Sequence, residues 1–370
     1  MTPFHLRIQT NSPGELTSWV TPLVAQFKKN CPDSTVTIHL VPCQYKSGQE
    51  KEIAQNIRGV DHVTSPKETI KKIFNFKKDL KETGAILFLG GDPIYTRLLS
   101  KKFHIPAYAY TEHAYPIGRH FKHVFRKHID GDLMAVRPLQ FSASKADILK
   151  KYHLEDKPYL LIFTGSRPQH FEHLTPLIAQ TLDHLHKTRP DIATLIQISP
   201  FITQELLQKV QKNTPIPSAK WLRGDSLDLL SISKLLLTIP GTNNAEAMYM
   251  KCPMLIVIPM HHPKHLILDG LPGLIGNIPL IGPPIKVWAV TKYVKTHPLL
   301  SLPNRYLKKK VVPELIGKWT PIELATAVTT LWDSKEHLND QITHYSEINL
   351  DKEAEILKKI VITILSKSAT

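Results

Sequence analysis

Cysteine is scarce in this chain. Cys31, Cys43 and Cys252 are its three, an odd number and far apart. No metal-ligand spacing exists among them, so neither a disulfide framework nor a cysteine zinc site is expected, and a reduced, cytoplasmic setting is. Aromatic residues are also few, at 8%, and they are not interleaved through a basic strand. No RNA-binding or zinc-finger signature is visible. No charged-then-apolar leader follows Met1, and no apolar run is long enough to span a bilayer. The nearest, His265–Val290, is interrupted by Asp269, Pro272, Pro279, Pro283 and Pro284. It reads as a buried or lid-like loop that could touch a membrane. Acidic residues are in deficit: 32 Asp and Glu face 47 Lys and Arg, for a net charge of +15. That balance favours anionic partners, whether nucleic acid, anionic lipid or a phosphorylated substrate, without choosing among them. A G-x-G-x-x-G pattern is missing, so a dinucleotide site is poorly supported.

At 370 residues the chain is long enough for two domains of ordinary size. Its most informative stretch is Leu235–His261, LLLTIPGTNNAEAMYMKCPMLIVIPMH. Leu235–Ile239 has strand length and composition, and Pro240-Gly241 breaks it. Thr242, Asn243 and Asn244 offer helix-capping side chains. Ala245–Met250 is a run of good helix formers, Cys252-Pro253 ends it, and Met254–Ile258 is a second apolar strand. Two apolar strands joined by a helix predict a parallel pair buried on both faces. The intervening turn then lies at the carboxyl edge of the sheet, where open α/β sheets bind ligands and helix-start amides attract phosphate. Glu246, on the first helical turn, is an acceptor-only side chain placed where a ribose diol could be held. The plain alternative is an ordinary βαβ unit with a capped helix.

The same pattern recurs along the chain. His5–Thr10 reads as a strand, followed by the turn Asn11-Ser12-Pro13-Gly14 and a helix over Glu15–Lys29. Its apolar positions Leu16, Val20, Leu23, Val24 and Phe27 have helical spacing. Ala85–Gly90 reads as a strand leading into Gly91-Asp92-Pro93, and Ile105–Tyr110 as a strand leading into Thr111, Glu112 and His113. Asp92 and His113 therefore sit at strand ends. A second βα series starts near Pro158, and Gly165-Ser166-Arg167 fills its first strand-to-helix turn. An arginine there can make forked contacts with a diphosphate. Two such series predict two doubly wound α/β domains.

Ile117–His128 reads as an amphipathic helix. Ile117, Phe121, Val124, Phe125 and His128 would share one face, with Arg119, Lys122, His123, Arg126 and Lys127 on the rest. Exposed aromatics beside cations suit an anionic membrane, with Ile117, Phe121, Phe125, Lys122 and Arg126 as the contacts. Ile73, Phe74 and Phe76 among lysines form a similar stretch. The alternative is a helix that packs on its own domain.

Taken in order, Gly165-Ser166-Arg167, Pro240-Gly241-Thr242-Asn243-Asn244-Ala245-Glu246-Ala247 with Pro253-Met254, Ser301-Leu302-Pro303-Asn304, and Val312-Pro313-Glu314-Leu315-Ile316 with Thr320-Pro321 resemble the lipid-A-disaccharide synthase family. The match runs from about Pro158 to Ala325. These are inverting hexosyltransferases of GT-B architecture. The resemblance implies two Rossmann-like domains facing a cleft, a UDP-sugar held mainly by the second, and a lipid acceptor approached from the membrane side by the first. It implies no metal and no cofactor, and work at the inner face of the cytoplasmic membrane. The domains would be residues 1–155 and 156–344, with the helices after about 345 packing back on the first. By the same resemblance Ser166 and Arg167 lie near the donor diphosphate. Gly241, Thr242, Asn243 and Asn244 bring backbone amides to it, Glu246 holds the ribose, and Asn304 and Glu314 line the donor pocket.

The first domain departs from the family pattern. Where the family reads S-G-E-A-S-G-D, the chain has Asn11-Ser12-Pro13-Gly14-Glu15-Leu16-Thr17-Ser18-Trp19. Gly14-Glu15 matches either the family's Gly-Glu, which puts Trp19 where an aspartate is expected, or its closing Gly-Asp. The family's D-x-P-D-F-N is here Gly91-Asp92-Pro93-Ile94-Tyr95-Thr96, with one aspartate instead of two. The acceptor side is thus altered, and a lipid other than the usual one is expected. Inverting transfer needs a base within reach of the acceptor hydroxyl. Asp92 is the first candidate, Glu15 the second and His113 the third. Two rivals stand beside this reading: a UDP-sugar 2-epimerase of similar fold, and a non-catalytic basic binder of nucleic acid or anionic surfaces. His261, His262 and His265 lack an accompanying carboxylate or cysteine, so no metal site is expected.

Overall fold

The computed structural model describes residues 4–43, 47–75, 83–112, 120–259, 292, 296 and 299–368. His113, Ile117, Phe76, the histidines at 261, 262 and 265 and the loop over 265–290 lie outside the described residues. The chain forms two compact units, Met1–Phe141 with Asn349–Thr370, and Ser142–Ile348.

In the first unit, β1 (His5–Thr10), β2 (Thr35–Leu40), β3 (His62–Thr64), β4 (Gly84–Phe88), β5 (Ala107–Thr111) and β6 (His123–Arg126) form one sheet. All pairings are parallel, in the order β3-β2-β1-β4-β5-β6. The second unit repeats the plan with β7 (Tyr159–Phe163), β8 (Ala193–Gln197), β9 (Ala219–Leu222), β10 (Ser233–Thr238), β11 (Met254–Pro259) and β12 (Glu314–Gly317). Its order is β12-β11-β10-β7-β8-β9, again parallel throughout. Both are doubly wound Rossmann-like sheets, as the two βα series predict. In each, the winding reverses between the first and fourth strands, β1 and β4 or β7 and β10. Ligands of open α/β sheets bind at such a reversal, beyond the strand carboxyl ends.

The central strands are apolar because helices cover both their faces. Every residue of β4, β5 and β7 is buried. In the second unit Leu160, Ile162, Leu235, Leu237, Leu255 and Val257 pack with Leu182, Val328 and Trp332 of the covering helices. The helix expected over Glu15–Lys29 forms in three pieces. Pro13–Glu15 is α-helical, Leu16–Val20 is a π-helical turn, and Thr21–Asn30 is α-helical again. π-turns within helices concentrate at functional sites.

Ile117–His128 is not the amphipathic helix its spacing predicts. His123–Arg126 is strand β6, paired with β5 from Tyr108↔His123 to Thr111↔Arg126. Phe121 is buried in a cluster with Ile86, Phe88, Leu99 and Phe103, and Phe125 is 3% exposed. Backbone pairing with β5 decided the conformation over helical spacing, so neither ring is available as a membrane contact. Lys122 is exposed and Arg126 half-buried. Phe125→Ala should lower unfolding stability by about 3–5 kcal/mol. Chemical denaturation reads this out, and a near-neutral value would return the ring to the surface.

Candidate active site

In the first unit the turns after β1 and β4 meet at the winding reversal. Gln9, on β1, clasps the other turn: its Nε2 donates to Gly90 O at 2.8 Å and Asp92 O at 3.0 Å, and its Oε1 accepts from Thr96 Oγ1 at 2.5 Å. Glu15 lies directly against that turn. A Cβ at Gly90 would sit 2.1 Å from each of its carboxylate oxygens, so a side chain there would displace the carboxylate. Glu15 Oε2 accepts from Thr10 Oγ1 at 2.6 Å, Asn11 N at 3.1 Å and Ser12 N at 3.2 Å. Burial raises the Glu15 pKa, outweighing the hydrogen bonds from Thr10, Asn11 and both the side chain and the backbone of Ser12, which lower it. The side chain is half-buried, so protein atoms ring it without sealing it.

Asp92 is exposed and caps the helix Pro93–Phe103, its Oδ1 accepting from Ile94 N at 2.9 Å. Trp19 is buried edge-on against Tyr110, with ring centroids 5.2 Å apart, so it belongs to the core. Beyond β5 is a group that sequence reasoning missed. Lys127, itself buried, lies 3.3 Å from Asp132 Oδ2 and 3.6 Å from Glu112 Oε2. Asp132 is 1% exposed, whereas the Glu112 side chain is 36% exposed. A run of Arg and Lys reads as a solvated face, and its spacing does not signal that one of them turns inward to an aspartate five residues on.

In the second unit β7 and β10 are adjacent, with Phe163 opposite Thr238. The two turns that follow therefore lie side by side. Gly165 has φ +95°, and a Cβ there would meet Ile239 Cδ1 at 3.0 Å and His170 at 3.2 Å. Ser166 and Arg167 are half-buried at the start of the helix Pro168–Thr188. Burial first, then Arg167 and His173, hold the His170 pKa down to about 4, so its imidazole is neutral near pH 7. Thr164, one residue before the turn, has a buried hydroxyl with no hydrogen bond among the described residues.

The turn after β10 is held by its own side chain. Asn244 Oδ1 accepts from Gly241 N at 2.9 Å, and Asn244 Nδ2 donates to Ile239 O at 3.1 Å. Asn244 N in turn donates to Gly241 O at 3.1 Å. The amides of Gly241 and Asn244 are thus spent, which leaves Thr242 and Asn243 as the helix-start donors of this turn. Glu246 is 2% exposed, and its Oε2 accepts from Ser226 Oγ at 2.9 Å.

Asn304 is saturated. Its Oδ1 accepts from Val311 N and Val312 N, each at 2.8 Å, while Nδ2 donates to Val312 O at 2.9 Å and Glu314 Oε1 at 2.8 Å. Glu314 also accepts from Ser301 N at 2.8 Å and Leu300 N at 3.3 Å. The expectation that both line a pocket needs correcting for Asn304. All four of its hydrogen-bonding positions are taken up in fastening Ser301–Asn304 to the strand that begins at Glu314. Among the described residues no group of His, Cys, Asp and Glu could hold a metal ion.

Residues 139–269 match the family model described as lipid-A-disaccharide synthetase. Over those residues the chain is similar to that family. It is 26% identical over 227 residues to lipid-A-disaccharide synthase 2 of Legionella pneumophila strain Lens, covering 59% of this chain and 51% of that one. The chain thus spans about half the length of that relative. With lipid-A-disaccharide synthase of Francisella tularensis subsp. novicida it shares 23% identity over 352 residues, 94% of this chain and 80% of the other. Two solved structures are similar in fold. A UDP-N-acetylglucosamine 2-epimerase assigned from Listeria monocytogenes has a TM-score of 0.58 at 12% identity, covering 99% of this chain and 97% of its own. The calicheamicin glycosyltransferase CalG4 has 0.56 at 12%, covering 100% of both. The GT-B glycosyltransferases and the epimerases share this two-sheet plan, so fold does not choose between them.

Two outcomes follow from the site. Between the ordinary carboxylate pKa and the raised value of Glu15, the folded protein holds a proton that the unfolded chain has lost. Stability therefore falls as pH rises through that window. Glu15→Gln should flatten this slope in denaturation curves taken from pH 4 to 8; an unchanged slope would assign it elsewhere. Asn304→Ala leaves the buried Val312 amide unpaired, while Val311 N keeps Lys309 O at 3.1 Å, and should cost about 1–3 kcal/mol. Thermal unfolding measures that loss, and a loss well under 1 kcal/mol would refute the clamp.

Proposed function

We propose that the protein is a lipid-A-disaccharide-synthase-like inverting glycosyltransferase that moves an N-acetylglucosamine-type sugar from UDP to a lipid acceptor without a metal. The observation that carries this reading is the adjacency of two turns at the winding reversal of the second unit. Gly165-Ser166-Arg167 and Thr242-Asn243 flank β7 and β10, and the Gly165 backbone approaches Ile239. One turn offers a guanidinium and the other offers helix-start amides, so a departing diphosphate held between them is stabilised as its charge grows. Glu246, with Ser226 already on one oxygen, takes the ribose diol. Asn304 and Glu314 fix the segment beyond rather than both meeting the donor.

The acceptor side belongs to the first unit. Glu15 is the better base of the two described candidates, because a raised pKa suits proton removal near neutral pH. Asp92, capping its helix, orients the acceptor from the neighbouring turn. His113 remains the third candidate. Unit 1 works at the inner face of the cytoplasmic membrane, where its lipid resides. The epimerase reading gains from the structural likeness but gives no role to a lipid-facing surface, and product analysis without lipid separates the two. A purely nucleic-acid-binding role leaves the second-unit turns unused.

Incubation with radiolabelled UDP-N-acetylglucosamine-type donors and a lipid extract should label a lipid. No transfer by folded protein would refute the reading. Glu15→Gln should cut kcat by about 100-fold or more while UDP affinity holds, whereas Asp92→Asn, which preserves the cap, should cut it less. The reverse order would make Asp92 the base. Arg167→Ala should weaken UDP binding by roughly tenfold or more, and unaltered titration calorimetry would clear that residue.

A further inference from the structure

The loss of Phe121 and Phe125 to the core leaves open which surface of the first unit meets lipid. Two aliphatic side chains of this unit are exposed far beyond the ordinary for their kind: Ile129 at 76% and Ile362 at 60%. Ile129 follows β6 at its carboxyl end, the same sheet edge that carries Glu15, Asp92 and Glu112. Ile362 belongs to the helix Ile356–Ser368, which is distant in sequence.

Three contacts bring them into one region. A Cβ at Gly131 would sit 2.5 Å from Glu353 O and 3.1 Å from Ile356 Cβ, so the backbone after Ile129 lies against the start of that helix. Lys359 Nζ reaches Asp130 O at 3.5 Å. Lys122 Nζ, just before β6, donates to Lys367 O near the helix end. Lys359 and Ile362 are three residues apart on the helix and so share a face. Lys358, Ser366 and Lys367 are exposed on the same helix, and Lys122, His128 and Ile129 are exposed beside it. Two acids interrupt the cations. Glu355 pairs with Lys359 at 3.7 Å, and Asp130 accepts from Arg126 N at 2.7 Å. The inner face of the helix is saturated by its own unit, since Ile356, Leu357, Ile360, Val361 and Ile364 are buried. The outward isoleucines lie mostly outside the core.

We infer that Ile129 and Ile362, with Lys122, Lys358, Lys359 and Lys367, form a docking surface for an anionic lipid bilayer. Aliphatic tips insert among the acyl chains while lysines meet acidic headgroups, and neither contribution alone suffices. Nucleic acid would use the lysines but gains nothing from exposed isoleucine. The surface adjoins the carboxyl edge of the first sheet, so a lipid still lodged in the bilayer would reach Glu15 without full extraction. That last point rests on the proposed glycosyl transfer; the docking itself does not.

Vesicle flotation of the full chain tests it. Wild-type protein should float with phosphatidylcholine vesicles containing phosphatidylglycerol, far less with phosphatidylcholine alone, and less as salt rises. Ile129→Glu with Ile362→Glu should reduce partitioning roughly 100-fold at unchanged melting temperature, since both positions are exposed. Lys358→Glu with Lys359→Glu should abolish the preference for the anionic lipid. Flotation that both double variants leave intact, or that ignores headgroup charge, overturns the inference. Retention of an acidic protein in place of vesicles would overturn it as well. Sugar transfer measured separately in detergent decides the enzymatic reading, so either can fail while the other stands.

Discussion

A parallel sheet delivers every strand's following turn to one edge, and it does so whatever the turns contain. This constraint places the chemistry in both units. Glu15 and Gly90–Asp92 are far apart in sequence yet meet because β1 and β4 are neighbours. Gly165–Arg167 and Thr242–Asn243 meet because β7 and β10 are. The reversal of winding between those strands sends the following helices to opposite faces, which leaves the turns uncovered. Close backbone approaches, with glycine at positions 90 and 165 where a Cβ would collide or crowd, then bring each pair of turns into contact.

The two edges carry opposite chemistry. The first presents the carboxylates of Glu15, Asp92 and Glu112, although the chain as a whole is strongly basic. The second presents Arg167, a neutral His170 and helix-start amides. Hydroxyl groups and protons suit the former, and an anion suits the latter. Net charge therefore says little about either site, because the excess of Lys and Arg lies elsewhere on the surface.

What was legible in the sequence follows the same division. Central strands such as LLLTI and AILFLG announce themselves as apolar runs, since burial on both faces removes any polar alternation. Edge strands do not: His62–Thr64 is three residues long and partly exposed, and His123–Arg126 coincides with helical spacing. Strand-end residues could be placed because topology needs only the order of elements. Their surroundings could not. The approach of Glu15 to Gly90, the saturation of Asn304 by Val311 and Val312, and the inward turn of Lys127 toward Asp132 depend on folded geometry that no local pattern names. Asn304 shows the difference most clearly. A pocket-lining asparagine and a fastening asparagine have the same sequence signature and opposite consequences for a ligand.

The chain leaves its first unit after Phe141 and returns to it at Asn349. Synthesis on the ribosome therefore completes the second unit, which is continuous, before the first can close. Until Leu357, Ile360 and Ile364 arrive to cover the helix Thr21–Asn30 and its sheet, that face stays bare. An early-made half must then wait, greasy and unfinished, through the translation of the entire insert. Nascent chains of this topology expose apolar surface longest at their amino-terminal half rather than at their middle.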